Sequence, residues 1–237
     1  MRKQPEVAVV AGVGPGLGTA LARRLVRAGC RVGLLARSET YLNALATELK
    51  AQTEVECCVV DLADAAEIER AFKRLQGALG PPDVLVYNAS AGGPWRESIL
   101  EVTPETFEHA WRVGVAGAFH AVQAVVPAML EKGSGSILLT GATSSVRGSG
   151  LAFSSAKFGL RGFAQALARE LWPRGIHVAH VVIDGIIGEP GASGELTEEP
   201  LLHPDRIADV YWHLVEQDPS VWTLELDVRP NREAFFE

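Results

Sequence analysis

Three cysteines in 237 residues, no basic excess and no apolar stretch at the start remove several function classes before any motif is read. Cys57 and Cys58 are adjacent, so in a strand they point to opposite sheet faces, which suits neither a disulfide framework nor a metal knuckle. With Cys30 they read as reduced core residues of a cytoplasmic protein. Twenty-two Lys and Arg against 29 Asp and Glu leave a net charge of −7. A nucleic-acid surface needs the reverse balance, so no nucleic-acid partner is expected. The start, MRKQPEVAVV, is basic but meets a proline at once and lacks an apolar run or cleavage pattern. Neither a signal peptide nor a membrane span is expected from it. Internal repeats and dividing linkers are also missing. What is present is core: 47% of the residues are hydrophobic, which excludes general disorder.

Apolar runs of strand length alternate with helix-period segments along the chain, the pattern of a parallel sheet covered by helices. The spacing predicts strands at 7–11, 31–36, 55–60, 84–87, 136–140, 177–183 and 223–228, with helices near 16–28, 39–50, 64–78, 104–131, 152–171 and 204–217. The expected fold is a single α/β domain over residues 1–237, a doubly wound, Rossmann-type parallel sheet of about seven strands with helices on both faces. Thr103-Pro104-Glu105 is a strong helix start, with a capping hydroxyl, a proline at the first position and an acid in the first turn. The stretch from Gly185 to Pro200 is rich in Gly, Pro and Glu. It reads as a plain solvated loop or as a lid over a substrate, and its place after a strand favours the lid.

The first strand runs into Gly12-Val13-Gly14-Pro15-Gly16-Leu17-Gly18 and then a helix. Glycines at 12, 16 and 18 allow a tight turn, a close approach of backbone to a pyrophosphate and close packing of helix on strand. The helix N-terminus then offers free N–H groups to phosphate. The commoner Gly-x-Gly-x-x-Gly spacing is not met, because Leu17 or Thr19 falls at the third glycine. The second strand ends in Ala36-Arg37-Ser38, where a protein preferring NAD carries an acid for the ribose hydroxyls. An arginine there suits a 2′-phosphate, since its guanidinium fork pairs with phosphate oxygens. It equally suits a solvated helix start.

Taken in order, Gly12/Gly16/Gly18, Asp61-Leu62, Asn88-Ala89-Ser90-Ala91 and Lys157 resemble the short-chain dehydrogenase/reductase family nearly as far as Ile187. The resemblance implies an oxidoreductase with a nicotinamide cofactor. It places Asp61 at the adenine, Asn88 as a brace on the central strand, Lys157 on the nicotinamide ribose, and the Ile187 backbone at the carboxamide. Leu17, Leu62 and Ala89 fall in the same cofactor-binding motifs. The basic residue often found before the second glycine in NADP-binding members is Pro15 here, so Arg37 alone argues for NADP(H) over NAD(H).

The catalytic pattern departs from the family. Its tyrosine, four residues before the lysine, is Phe153; the helical spacing keeps 153 and 157 on one face, so register survives and only the hydroxyl is gone. The family serine falls on Ala142, followed by Thr143, Ser144 and Ser145, of which Thr143 is the candidate stand-in. The family asparagine falls on Gly114, which costs about 1 kcal/mol in a helix without evident return. The Pro-Gly after the sixth strand becomes Asp184-Gly185, and the threonine that follows becomes Glu189. Asp184 is a substitute acid only if burial raises its pKa. His177 and His180 lie three apart on a strand and face opposite ways, which excludes a metal pair. Tyr87 reads as core, and Trp212 and Trp222 as packing. These residues point to an NADP(H)-dependent carbonyl or alcohol oxidoreductase with an atypical site. The alternative is a non-catalytic NADP(H)-binding protein acting as a sensor or partner. A homodimer or homotetramer is expected, built on the helices holding Val113 to Glu131 and Phe153 to Leu171.

Overall fold

Strands in which nearly every residue is apolar can be stable only when both faces are covered, and that is how they fold here. The computed structural model describes residues 5–92, 97–188 and 201–232. In chain order they form β1 (Val7–Ala11), α1 (Leu17–Arg27), β2 (Arg31–Ala36), α2 (Glu39–Leu49), β3 (Val55–Val59), α3 (Ala65–Leu79) and β4 (Val84–Tyr87). There follow α4 (Pro104–Trp111), α5 (Gly117–Lys132), β5 (Gly135–Thr140), α6 (Leu151–Leu171), β6 (Ile176–Ile183), β7 (Ile186–Ile187), β8 (Leu201–Leu202), α7 (Pro204–Glu216) and β9 (Glu225–Val228). Seven strands make one sheet in the order β3-β2-β1-β4-β5-β6-β9, every neighbour parallel. The expected strands all form, with small changes at their ends.

The sheet separates two apolar layers. Helices α1, α2 and α7 pack one face, and α3, α5 and α6 the other. Cys57 packs with the first layer and Cys58 with the second, and all three cysteines are free. Burial pushes the Cys30 and Cys57 thiols up to about 11, so they stay protonated and unreactive. Side-chain caps open three helices: Ser38 for α2, Asp64 for α3 and Thr103 for α4, each worth about 1 kcal/mol.

One difference lies inside the long helix expected at 104–131. Five residues, Arg112–Ala116, wind as a π-turn between α4 and α5. The cause is a tertiary contact: the buried Tyr87 hydroxyl donates to the Val113 carbonyl at 2.5 Å. Gly114 has a structural return after all, because a Cβ there would come within 3.2 Å of the Ala156 Cβ. The π-turn therefore brings this helix close against α6. The run Pro104–Lys132 holds an 18-residue window with a mean hydropathy of 1.6, long and apolar enough to cross a bilayer. Here it packs against α3 and α6, as core helices do.

Small strands β7 and β8 pair in parallel, Ile187 opposite Leu202. Most of the expected lid, 189–200, lies outside the described residues, as does Glu189.

Candidate active site

The chain order reverses between β1 and β4, which sit side by side in the sheet. At such a switch point the loops after the two strands part, leaving a crevice at their carboxyl ends. A cleft of about 280 Å³ opens there. Gly12, Arg37, Asp61, Leu62, Asn88 and Ala89 all line it, with Val113 of the π-turn at its side.

Gly12 sits at φ +97°, and its amide and that of Val13 both donate to the Leu35 carbonyl at 2.9 and 3.0 Å. A Cβ on Gly12 would lie 2.5 Å from the Ala89 nitrogen, and one on Gly18 would lie 2.6 Å from the Gly12 oxygen. These two glycines let β1, α1 and the loop after β4 meet. Gly16 differs, because a Cβ there meets no protein atom within 4 Å. The Asn88 amide donates to the Gly12 carbonyl at 2.9 Å, tying the β4 loop to the glycine turn. Thr19 pins the other side of the turn, donating to Gly14 O at 2.7 Å and meeting the Tyr41 hydroxyl at 2.6 Å. Sequence reasoning missed Thr19 and Tyr41, which lie 22 residues apart with no motif linking them.

Asp61 caps its own turn through the Ala63 amide at 2.9 Å, leaving carboxylate capacity toward the cleft. Leu17, first residue of α1, is buried beneath the turn. Arg37 is exposed at the rim and makes no hydrogen bond or ion pair among the described residues. The cleft thus offers a glycine turn with open space above Gly16, a helix N-terminus and an unengaged guanidinium. A dinucleotide's phosphates and ribose need such groups, so the residues fit the cofactor that the motif implies.

Lys157 stands one strand further along. It is 5% exposed, and its Nζ donates to the carbonyl of Thr140, the last residue of β5, at 2.8 Å. The Phe153 ring centroid lies 5.6 Å from the same nitrogen. Removal from water lowers the Lys157 pKa to about 8, since burial disfavours the charged form.

The remaining candidates are committed elsewhere. The Thr143 hydroxyl donates to the Asp184 carboxylate. That carboxylate, 1% exposed, also faces Arg229 at 2.7 Å and Arg147 at 3.2 Å. Two guanidiniums and a hydroxyl thus engage the Asp184 carboxylate. His177 and His180 do face opposite layers. His177 lies between the carbonyls of Leu214 and Thr223, stacked on Trp222 at 4.9 Å. His180 is bound to Glu225 at 3.1 Å, and Glu225 forms a bidentate pair with Arg161. No group of three His, Cys, Asp or Glu among the described residues could hold a metal. Trp212 is buried beneath Arg24.

Comparison with known proteins places this geometry in company. The short chain dehydrogenase family matches residues 6–193. A Staphylococcus saprophyticus protein, named an uncharacterized oxidoreductase, is 29% identical and covers 96% of this chain and 98% of its own length. A short-chain dehydrogenase structure from Rhodopseudomonas palustris superimposes with a TM-score of 0.83 at 32% identity, covering 95% of this chain and 98% of that one. An alcohol dehydrogenase from the archaeon Thermococcus sibiricus, complexed with 5-hydroxy-NADP, gives 0.84 at 27% identity over 97% and 98%.

Proposed function

The chain belongs to the short-chain dehydrogenase family, and from that premise we propose that it is an NADP(H)-dependent oxidoreductase of carbonyl and alcohol groups. Its active site lacks the hydroxyl and amide groups expected at 153, 142 and 114. The observation that carries the reading is that the cleft beyond β1 and β4 and the buried Lys157, bonded to the last residue of β5, lie at the same carboxyl end of the sheet. When bound, the reduced nicotinamide supplies the hydride. The chain's own residues do the rest: the glycine turn and the α1 N-terminus receive phosphates, Asp61 and Arg37 grip the adenosine end, and Lys157 holds the ribose. The Ile187 backbone, on a strand paired with β8, would bond the nicotinamide carboxamide. Orienting both reactants supplies much of the rate even before proton transfer is considered. The three unpaired cysteines fit a reducing cytoplasm. Consumption of NADPH with a panel of ketones, aldehydes and diketones tests the activity. A chain that binds NADPH tightly and reduces none of them is a non-catalytic binding protein instead.

NADPH is expected to bind roughly ten- to a hundred-fold more tightly than NADH, since a charge-assisted contact is worth about 1.5–3 kcal/mol. The support is Arg37 at the cleft rim, with Ala36 where an acid would repel the phosphate. Parallel calorimetric titrations of wild type and Arg37→Ala check this. Equal affinities in the wild type, or a preference that survives Arg37→Ala, would refute it.

We also propose a homodimer or homotetramer built on α4, α5 and α6. Phe107, Trp111, Phe119 and Phe158 leave large aromatic surfaces exposed on these helices, and apolar surface of that kind marks a candidate subunit contact. Light scattering should give at least twice the 25.3 kDa of one chain, and Phe158→Glu should shift it toward the single-chain mass. A 25.3 kDa wild-type particle at micromolar concentration overturns the assembly.

A further inference from the structure

A carbonyl reductase must deliver a proton as well as a hydride, and the usual donor is gone. Phe153, Ala142 and Gly114 carry no exchangeable side-chain proton. Nearby hydroxyls are already placed. Thr143 donates to Asp184, Ser144 pairs with Ser149 at 2.6 Å, and Ser145 is fully buried against the Ala142 amide. Lys157, one helical turn from Phe153, has protons to give. Its ammonium has three protons, of which the Thr140 carbonyl takes one. The Phe153 ring beside it can accept none of the others in an ordinary hydrogen bond.

We propose that Lys157 is itself the general acid, handing its proton directly to the carbonyl oxygen of the substrate. The proposal rests on the oxidoreductase reading above. In the step, the carbonyl carbon gains a hydride from the reduced nicotinamide, and the π pair of the C=O bond moves onto oxygen. An N–H bond of Lys157 breaks as the O–H bond forms. The products are the alcohol, the oxidised nicotinamide and a neutral amine, which regains its proton from solvent. Run backwards, the neutral amine is the base that takes the alcohol's proton.

An ordinary lysine holds its proton too firmly for this work near neutral pH. Burial brings Lys157 down to about 8, where a donor is still charged yet releases its proton readily. The groups facing it leave that effect unopposed. From β5 comes the Thr140 carbonyl, which carries no net charge. From β6 comes His180, which burial holds below its usual value and which therefore stays neutral at pH 7. Behind His180, Glu225 is neutralised by Arg161, on the same helix as Lys157. No carboxylate among the described residues pairs with the Lys157 nitrogen, so no ion pair restores its basicity.

The test uses NADPH and 2,3-butanedione, with affinity measured for every variant so that rates are compared at saturation. The wild-type rate should fall as pH rises through about 8, one proton being lost. A second reading needs no turnover: in protein labelled with 13C-lysine, one Cε signal should titrate in that range, and it should vanish in Lys157→Arg. Lys157→Arg keeps the charge and gives up no proton near neutral pH, so it should be about 10²-fold slower or worse and lose the pH limb. Lys157→Met should be equally slow. A flat wild-type profile, a Lys157 signal that stays unchanged to about pH 10, or a NADPH-bound Lys157 variant running at the wild-type rate overturns the proposal. In those cases the oxidoreductase reading stands and another donor is at work. If NADPH binds and Lys157 titrates as expected but no carbonyl is reduced at any pH, the oxidoreductase reading itself has failed and the proposal with it.

Discussion

Phe153→Tyr is expected to raise NADPH-dependent reduction of reactive diketones by about 10²-fold at pH 7, with NADPH affinity unchanged. The ring at 153 already lies beside the Lys157 nitrogen, 5.6 Å from centroid to Nζ. The substitution therefore adds a hydroxyl to a side chain that is in position. Lys157 is mostly charged at pH 7, because its pKa of about 8 lies above it. A neighbouring cation favours the phenolate, so the new phenol's pKa drops from its usual value of about 10 toward working pH. General acid catalysis is commonly worth about 10² to 10⁴-fold. The gain belongs at the lower end, because Ala142 offers the phenol no hydrogen-bond partner and Gly114 no amide. The wild type must also start from a slower donor, or there is nothing to gain. Saturating kinetics on the two proteins decide the matter. Equal rates would mean that a hydroxyl at 153 cannot reach the substrate oxygen.

The strands were legible because a parallel sheet buried on both faces writes itself as uninterrupted apolar runs, such as VAVVA in β1 and IHVAHVVI in β6. The cap on α4 was legible for an equally local reason, the Thr103 hydroxyl ahead of the first turn. The π-turn at Arg112–Ala116 was not, because its cause lies 26 residues away in the hydroxyl of Tyr87. Read as sequence, Gly114 was a defect in a helix; in the fold it is a contact with Ala156. The cleft beyond β1 and β4 divides the same way. Its glycines, Asp61 and Asn88 sit at strand ends, where a motif read in order already groups them. The groups around Asp184 come from the loop after β5 and the end of β9. Nothing in their spacing announces that Arg147 and Arg229 would meet that acid. Likewise His180, Glu225 and Arg161 meet from two strands and a helix, which no local pattern encodes.

Gly12→Ala should lower the unfolding midpoint by roughly 6–12 °C and abolish measurable NADPH binding. Two costs coincide at this position. Its φ of +97° lies in the region that an alanine enters only under strain, a cost of about 1–3 kcal/mol. Its Cβ would also lie 2.5 Å from the Ala89 nitrogen and 2.7 Å from the Ala89 Cα, both backbone atoms that cannot rotate aside. Overpacking adds about 1–3 kcal/mol more. A total near 3 kcal/mol converts to the stated shift at about 2–4 °C per kcal/mol for a chain of this size. The disturbance enters the cleft directly, because the Gly12 carbonyl receives the Asn88 amide and both residues line it. Gly14→Ala is the companion variant. Gly14 also lines the cleft, but a Cβ there meets no protein atom within 4 Å. Its unfolding midpoint should stay within about 2 °C of wild type, less than 1 kcal/mol. NADPH should bind it more weakly, since the added methyl occupies space that only a ligand would use. Thermal scans and NADPH titrations on both variants separate the two roles. A Gly12→Ala protein with wild-type midpoint and affinity would show that the turn between β1 and α1 is free to open, contrary to the packing seen around it.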